Sequence, residues 1–256
     1  MKRVKSMAEF QDDYIFAITK RALLVCVIFP LLSTGLSYAA YESDFSVSGW
    51  PWKIGAVTTI VCCLTPVLIW LRYRGTNALR AYGMVMLIGV FAIYYFFGVF
   101  GYFYFFIFAP MSEYLRWVGG GGGAALTAYW ICITYRIVSH TIDNTSFVRK
   151  TFLDDAGTVI FPLQRGMKAY EKVDKERRPF PKLFMYVIYG IAPFYLILNR
   201  LLSSNFGTTG VLLFVAILGM PLSLWLAGAF VRLYLVMIKT ASCIEKERKV
   251  RVVVAG

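Results

Sequence analysis

Residues 83–109 read GMVMLIGVFAIYYFFGVFGYFYFFIFA, twenty-seven consecutive positions without a charge. A bilayer's hydrocarbon core, about 30 Å thick, is crossed by roughly 20 mostly apolar residues in a helix. This stretch is long enough to cross with residues to spare. A strand of a membrane barrel would instead alternate apolar and polar residues over about ten positions. Ala22 to Leu32 and Val211 to Leu218 are also almost continuously apolar, so the alternation is missing there too.

Working outward from residues 83–109, six such runs predict an all-α, polytopic membrane protein with spans at 22–41, 53–71, 83–109, 119–138, 183–202 and 210–231. With 59% hydrophobic and 16% charged residues over 256 positions, the chain has more apolar surface than a soluble domain of this length can bury. The expected organisation is a cytoplasmic amphipathic N-terminus (1–21), spans one to four (22–138), a basic cytoplasmic loop (139–182), spans five and six (183–232) and a cytoplasmic tail (233–256).

Charge sets the orientation. Of the 27 Lys and Arg, 24 fall in the N-terminal 21 residues, around Arg72 to Tyr82, from Arg136 through Lys182, and from Arg232 onward. Only Lys53, Arg116 and Arg200 fall elsewhere. Positive residues in short loops mark the cytoplasmic side, so both termini and the second and fourth connections are expected inside, in a plasma or bacterial inner membrane. Three acids (Glu42, Asp44, Glu113) balance the three outer bases. The basic face is expected to meet anionic inner-leaflet lipids. Nucleic acid is not expected as a partner, because the inside bias already accounts for the charge. A cleaved signal peptide ending near Ser37-Tyr38-Ala39 is the rival for the first span; the acidic leader (Glu9, Asp12, Asp13) argues against it.

Four spans carry an interior proline (Pro30, Pro66, Pro193, Pro221), each freeing a backbone carbonyl that must find another partner in lipid. Gly190 with Pro193, and Gly219 with Pro221, are the candidate hinges. The third span has twelve aromatic residues among the twenty from Gly89 to Phe108. Gly98 and Gly101 put small residues among the rings, where another helix can approach closely. With Tyr102 they form the candidate helix contact, read as a subunit contact surface or a channel for a lipid tail. Gly119 to Gly123 is a five-glycine run without the Lys and Ser/Thr of a phosphate loop, and reads as close helix packing or flexible re-entry.

No acid lies in any span, which argues against ion-coupled transport by this chain alone. Asn199 and Arg200 form the most polar pair near a span and are the candidate contact for an anion or headgroup. A single histidine excludes paired-histidine metal sites, and no grouped Ser, His and acid predicts an enzyme; no cofactor or metal is expected. Cys26, Cys62, Cys63 and Cys132 lie in spans and Cys243 in the tail, which fits packing and not disulfides. Cys62 and Cys63 should face different sides of their helix.

The cytoplasmic pieces predict a small α/β cap. Asp154-Asp155-Ala156-Gly157 reads as a hairpin turn, Gly166 to Arg178 as a short polar helix with four-residue ion pairs, and Lys249 to Ala255 as an added strand. The function expected is a non-enzymatic membrane component acting by protein contact, such as a subunit of an envelope assembly or an immunity-type binder, with another membrane protein or copies of itself as partner. The alternative is a channel or transporter for an apolar or anionic solute.

Overall fold

The structure, a computed structural model, describes residues 13–155, 157–166, 168–169 and 195–255. Helix α1 (Tyr14–Ser37) begins at Asp13, whose carboxylate accepts the Phe16 amide at 2.9 Å and so satisfies one of the first-turn donors. It runs on into a π-helical stretch, Tyr38–Asp44. Helix α2 (Trp50–Tyr73) has Pro51 in its first turn, where a missing amide is not needed. Helix α3 (Leu79–Tyr94) continues as ten π-helical residues, Tyr95–Tyr104, and a last turn, Phe105–Phe108. Helix α4 (Glu113–Asn144) is 32 residues long. Short helix α5 (Phe147–Thr151), strands β1 (Leu153–Asp155) and β2 (Thr158–Pro162) follow. Helix α6 (Tyr195–Leu233) is broken at Gly207 and extends through π-helical Tyr234–Thr240 into α7 (Ala241–Arg248). Strand β3 (Arg251–Ala255) completes the elements.

Among the described residues, four continuous helical stretches are long and apolar enough to cross a membrane: Tyr14–Asp44, Trp50–Tyr73, Leu79–Phe108 and Gly207–Arg248, with mean hydropathy 2.1 to 2.2. This is the mark of a membrane protein with a mostly all-α fold. They take up the first, second, third and sixth of the six expected spans. The expected fourth span, 119–138, falls inside α4, which is one unbroken helix but is not among the four; its glycines dilute the hydropathy. The expected fifth span lies mostly outside the described residues, as do Gly190, Pro193, most of the amphipathic N-terminus and most of the polar helix 166–178.

At one end of the bundle a three-stranded sheet in the order β1-β2-β3 is assembled from two distant pieces of chain. Strands β1 and β2 form a hairpin with Asp155 opposite Thr158, and Gly157 at φ +86° supplies the left-handed position such a tight turn needs. Strand β3 runs parallel to β2, with Val159 beside Val252 and Phe161 beside Val254. These four side chains are buried beneath the sheet, and their neighbours along each strand point away, the two-residue alternation of a half-covered sheet. The Val254 amide donates to the Asn77 carbonyl at 2.8 Å, and the Tyr14 amide donates to Asn77 Oδ1 at 3.1 Å. Asn77 thus ties the start of α1, the α2–α3 connection and the C-terminal strand together. Arg80–Glu245 (3.2 Å) and Arg248–Asp154 (2.7 Å) are exposed pairs at the same end, worth at most about 1 kcal/mol each.

The opposite end holds the turns at 45–49 and 109–112, the Gly207 break, and exposed Tyr38, Trp50, Tyr114 and Trp117, ring types enriched where a bilayer meets water.

Candidate functional site

The half of the bundle away from the sheet is built from aromatic rings and glycines. Tyr41, fully buried, stands edge-on to Tyr104, and the Tyr104 and Tyr95 hydroxyls are 3.1 Å apart in the interior. Phe100 and Phe105 are buried with them. Rings of this size leave gaps, and glycines let backbones close them. A Cβ on Gly98 would come within 3.1 Å of Ser223 Oγ on α6 and 2.9 Å of the Tyr94 ring of its own helix, and one on Gly101 within 3.5 Å of Val215 Cγ1 on α6 and 3.2 Å of the Phe96 carbonyl of its own helix. On the facing helix, a Cβ on Gly219 would come within 3.1 Å of the Phe97 carbonyl. The contact made by Gly98 and Gly101 is therefore inside the chain, between the π-helical part of α3 and α6. Tyr102, the third residue singled out with them, turns the other way: its hydroxyl donates to the Gly119 carbonyl at 2.8 Å.

Helix α4 has two unlike faces. Its inner one accepts rings from α3, since a Cβ at Gly119 would overlap Phe106 and one at Gly123 would overlap Tyr102. Further along, α4 meets α6 where Trp130 packs against Gly228, leaving 2.9 Å between Nε1 and an added Cβ. Its outer face is different. Among the described residues, Gly121 and Gly122 have nothing within 4 Å of where a Cβ would stand, and Ala125, Ala128 and Cys132 continue the exposed strip in steps of three or four residues, which is one side of a helix. Glycine costs about 1 kcal/mol relative to alanine in a helix interior. Gly119 and Gly123 are explained by Phe106 and Tyr102; Gly121 and Gly122 are not.

A cavity of about 870 Å³ lies between Tyr38–Asp44, the π-helical part of α3 and the segment of α6 after Gly207. Phe96, Phe97 and Phe100 line one side. At its mouth Thr208 Oγ1 donates to Asp44 Oδ2 at 2.7 Å. Gly219 and Pro221, one of the two expected hinge pairs, are in its wall. Asn199 and Arg200 lie in α6 before the break at Gly207, and Arg200 is exposed. Asp44 enters the sequence reading only as an outer acid, and Thr208 not at all. The one local signal was Gly207 followed by two threonines ahead of an apolar run, a helix start hidden within a longer helical segment.

The cysteines converge more than their spacing indicates. Pro30 cannot donate to the carbonyl four residues back, and that carbonyl, Cys26 O, receives the Cys63 thiol of α2 at 3.7 Å. Cys26 and Cys62 are buried in the same small cluster with Ala92. Among the described residues no group of His, Cys, Asp and Glu is arranged to hold a metal ion, and all five thiols are free.

No family model matches the chain, and no curated protein or solved structure matches it. The functional reading therefore rests on the geometry above.

Proposed function

We propose that this chain is a non-enzymatic integral membrane component that works by contact with another membrane protein or with copies of itself, and that the outer face of α4 carries the contact. The observation behind this reading is the open space over Gly121 and Gly122. Without side chains, these residues leave a shallow place on the helix surface where the backbone of a neighbouring helix can come close. A second helix seated there would approach closely over Gly121, Ala125 and Ala128, the small-residue geometry by which membrane helices associate. In this reading α4 crosses the membrane as the fourth of six spans. The sheet, both termini and the basic connections lie in the cytoplasm, against anionic lipid in a plasma or bacterial inner membrane.

Cys132 is exposed on the same strip and makes the test direct. With Cys243 replaced by Ser, a reagent that couples a photoreactive benzophenone to the exposed Cys132 thiol, applied to native membranes and illuminated, should give one crosslinked band of fixed composition. Mass spectrometry of that band separates a self-contact from a different partner. Gly121→Leu with Gly122→Leu should cut the band about tenfold, the size of one lost close helix contact of about 1.4 kcal/mol, while leaving the purified protein folded, since among the described residues nothing stands within 4 Å of either Cβ. A folded protein that gives no band, or a band indifferent to both substitutions, rejects the α4 contact.

Passage or carriage of an apolar solute is the second reading, and the cavity is what favours it. An anionic solute is less well served, because the one charge among the described residues of that wall is Asp44.

A further inference from the structure

The cavity is shaped for a long, thin ligand with one polar end. Along α6 its wall is formed by Thr208, Val211, Val215, Leu222 and Trp225, a strip whose ends are seventeen residue steps apart, or about 25 Å at 1.5 Å per residue. That length is close to the thickness of a bilayer's hydrocarbon core. The other walls come from two π-helical stretches, Tyr38–Asp44 and Tyr95–Tyr104. Helical segments of this wider winding are frequent at functional sites. The volume, about 870 Å³, falls within the range of small-molecule sites, about 300–1,000 Å³.

The mouth is built as well. Gly207 adopts φ 56°, ψ −148°, backbone that is in practice open to glycine alone. The break restarts α6 so that Thr208 stands at the rim with its hydroxyl on Asp44. Among the described residues of the wall Asp44 is the only ionisable one, and it is exposed. A carboxylate offers about four acceptor positions, and Thr208 occupies one of them. An anionic head would be repelled there, and a neutral one would leave the charge uncompensated. A cationic amine can donate hydrogen bonds and neutralise the charge together.

We infer that this cavity binds one amphiphile with a long apolar chain and a cationic amine head, the chain lying along Phe96, Phe97 and Phe100 and the head on Asp44. The inference rests on the membrane placement but not on the α4 contact, since no residue of α4 lines the cavity. Two sources share this chemistry: a free long-chain amine, and a membrane lipid with an amine head.

Trp225, in the wall and 46% exposed, is a built-in reporter. The full-length protein, reconstituted in discs of phosphatidylcholine, is titrated with bromododecylamine, whose bromine quenches nearby tryptophan fluorescence; bromododecanol and bromododecanoic acid are the matched controls. The amine should quench saturably, with the saturable part lost in Trp225→Phe. Asp44→Asn keeps an acceptor for Thr208 and should weaken the amine about tenfold, the size of one charge-assisted contact, while leaving the alcohol unchanged. Ala39→Phe, at an exposed position of the wall, should remove saturable quenching by amine and alcohol alike. Discs containing phosphatidylethanolamine should right-shift the titration if a lipid is the ligand and leave it in place if a free amine is. Quenching that rises without saturation, an acid that binds as tightly as the amine, or an amine titration unmoved by Asp44→Asn in correctly folded protein overturns the assignment. Failure of the Cys132 crosslink would leave all of these results standing.

Discussion

Helices α2 and α3 are equally apolar and sit in opposite surroundings. Mean hydropathy is 2.2 for Trp50–Tyr73 and 2.1 for Leu79–Phe108, yet the buried share of their most apolar segments is 17% against 44%. The buried residues of α2 are Pro51, Gly55, Cys62 and Pro66, a narrow strip of small side chains laid on α1. In the first turns of α3, burial recurs at Leu79, Ala81, Gly83, Val85, Leu87 and Gly89. Every second position of an α-helix falls on alternate, nearly opposite sides, so this pattern means a helix covered on two flanks. Lipid is as apolar as leucine and gives no preference for burying it. What places α3 inside is shape: glycines that let α6 close on its backbone, and rings that fill the remaining volume.

That comparison can be broken where it is strongest. Gly98→Leu should cost the most, about 3 kcal/mol or more from overpacking, because Ser223 and the Tyr94 ring already stand within about a van der Waals radius of the new side chain. The unfolding midpoint in detergent is the measurement. A midpoint within error of the parent protein would mean that α3 and α6 are not in this contact. Tyr104→Phe removes only the 3.1 Å contact between hydroxyls and should cost about 0.6 to 1 kcal/mol. The smallest effect belongs to α2: Leu64 is 56% exposed, and Leu64→Ala leaves no cavity, so its change should stay within about 0.5 kcal/mol. An effect of Leu64→Ala as large as that of Gly98→Leu would erase the distinction between the two helices.

The same contrast runs along α4. Its glycine run is five identical residues, and only the packing separates Gly119 and Gly123, which receive rings, from Gly121 and Gly122, which receive nothing. A run of one residue type carries no direction, so the sequence reading stops at close packing or flexible re-entry. The hairpin was easier to read, because Asp154 to Gly157 is a local turn flanked by β-branched and aromatic residues, and the strand near the C-terminus was readable from Arg251-Val-Val-Val254. That the two meet in one sheet was not readable: about ninety residues separate them, and the register is set by the shared apolar floor beneath Val159, Phe161, Val252 and Val254. The cavity was beyond reach for a related reason. Asp44 and Thr208 are 164 residues apart, and neither belongs to a motif.

The sequence by itself determined what responds to composition and short-range order. That includes four of the six stretches expected to be long and apolar enough to cross a membrane, where prolines interrupt the chain, and the gathering of Lys and Arg in a few segments. These follow from transfer free energies and local backbone preferences, which act residue by residue. Only the tertiary structure decided which of several equally apolar helices is surrounded, which glycines are contacts and which are bare, and that Asp44 stands at the end of an apolar cavity. Those outcomes depend on the fit of side chains from distant parts of the chain, and no window of neighbouring residues contains that information.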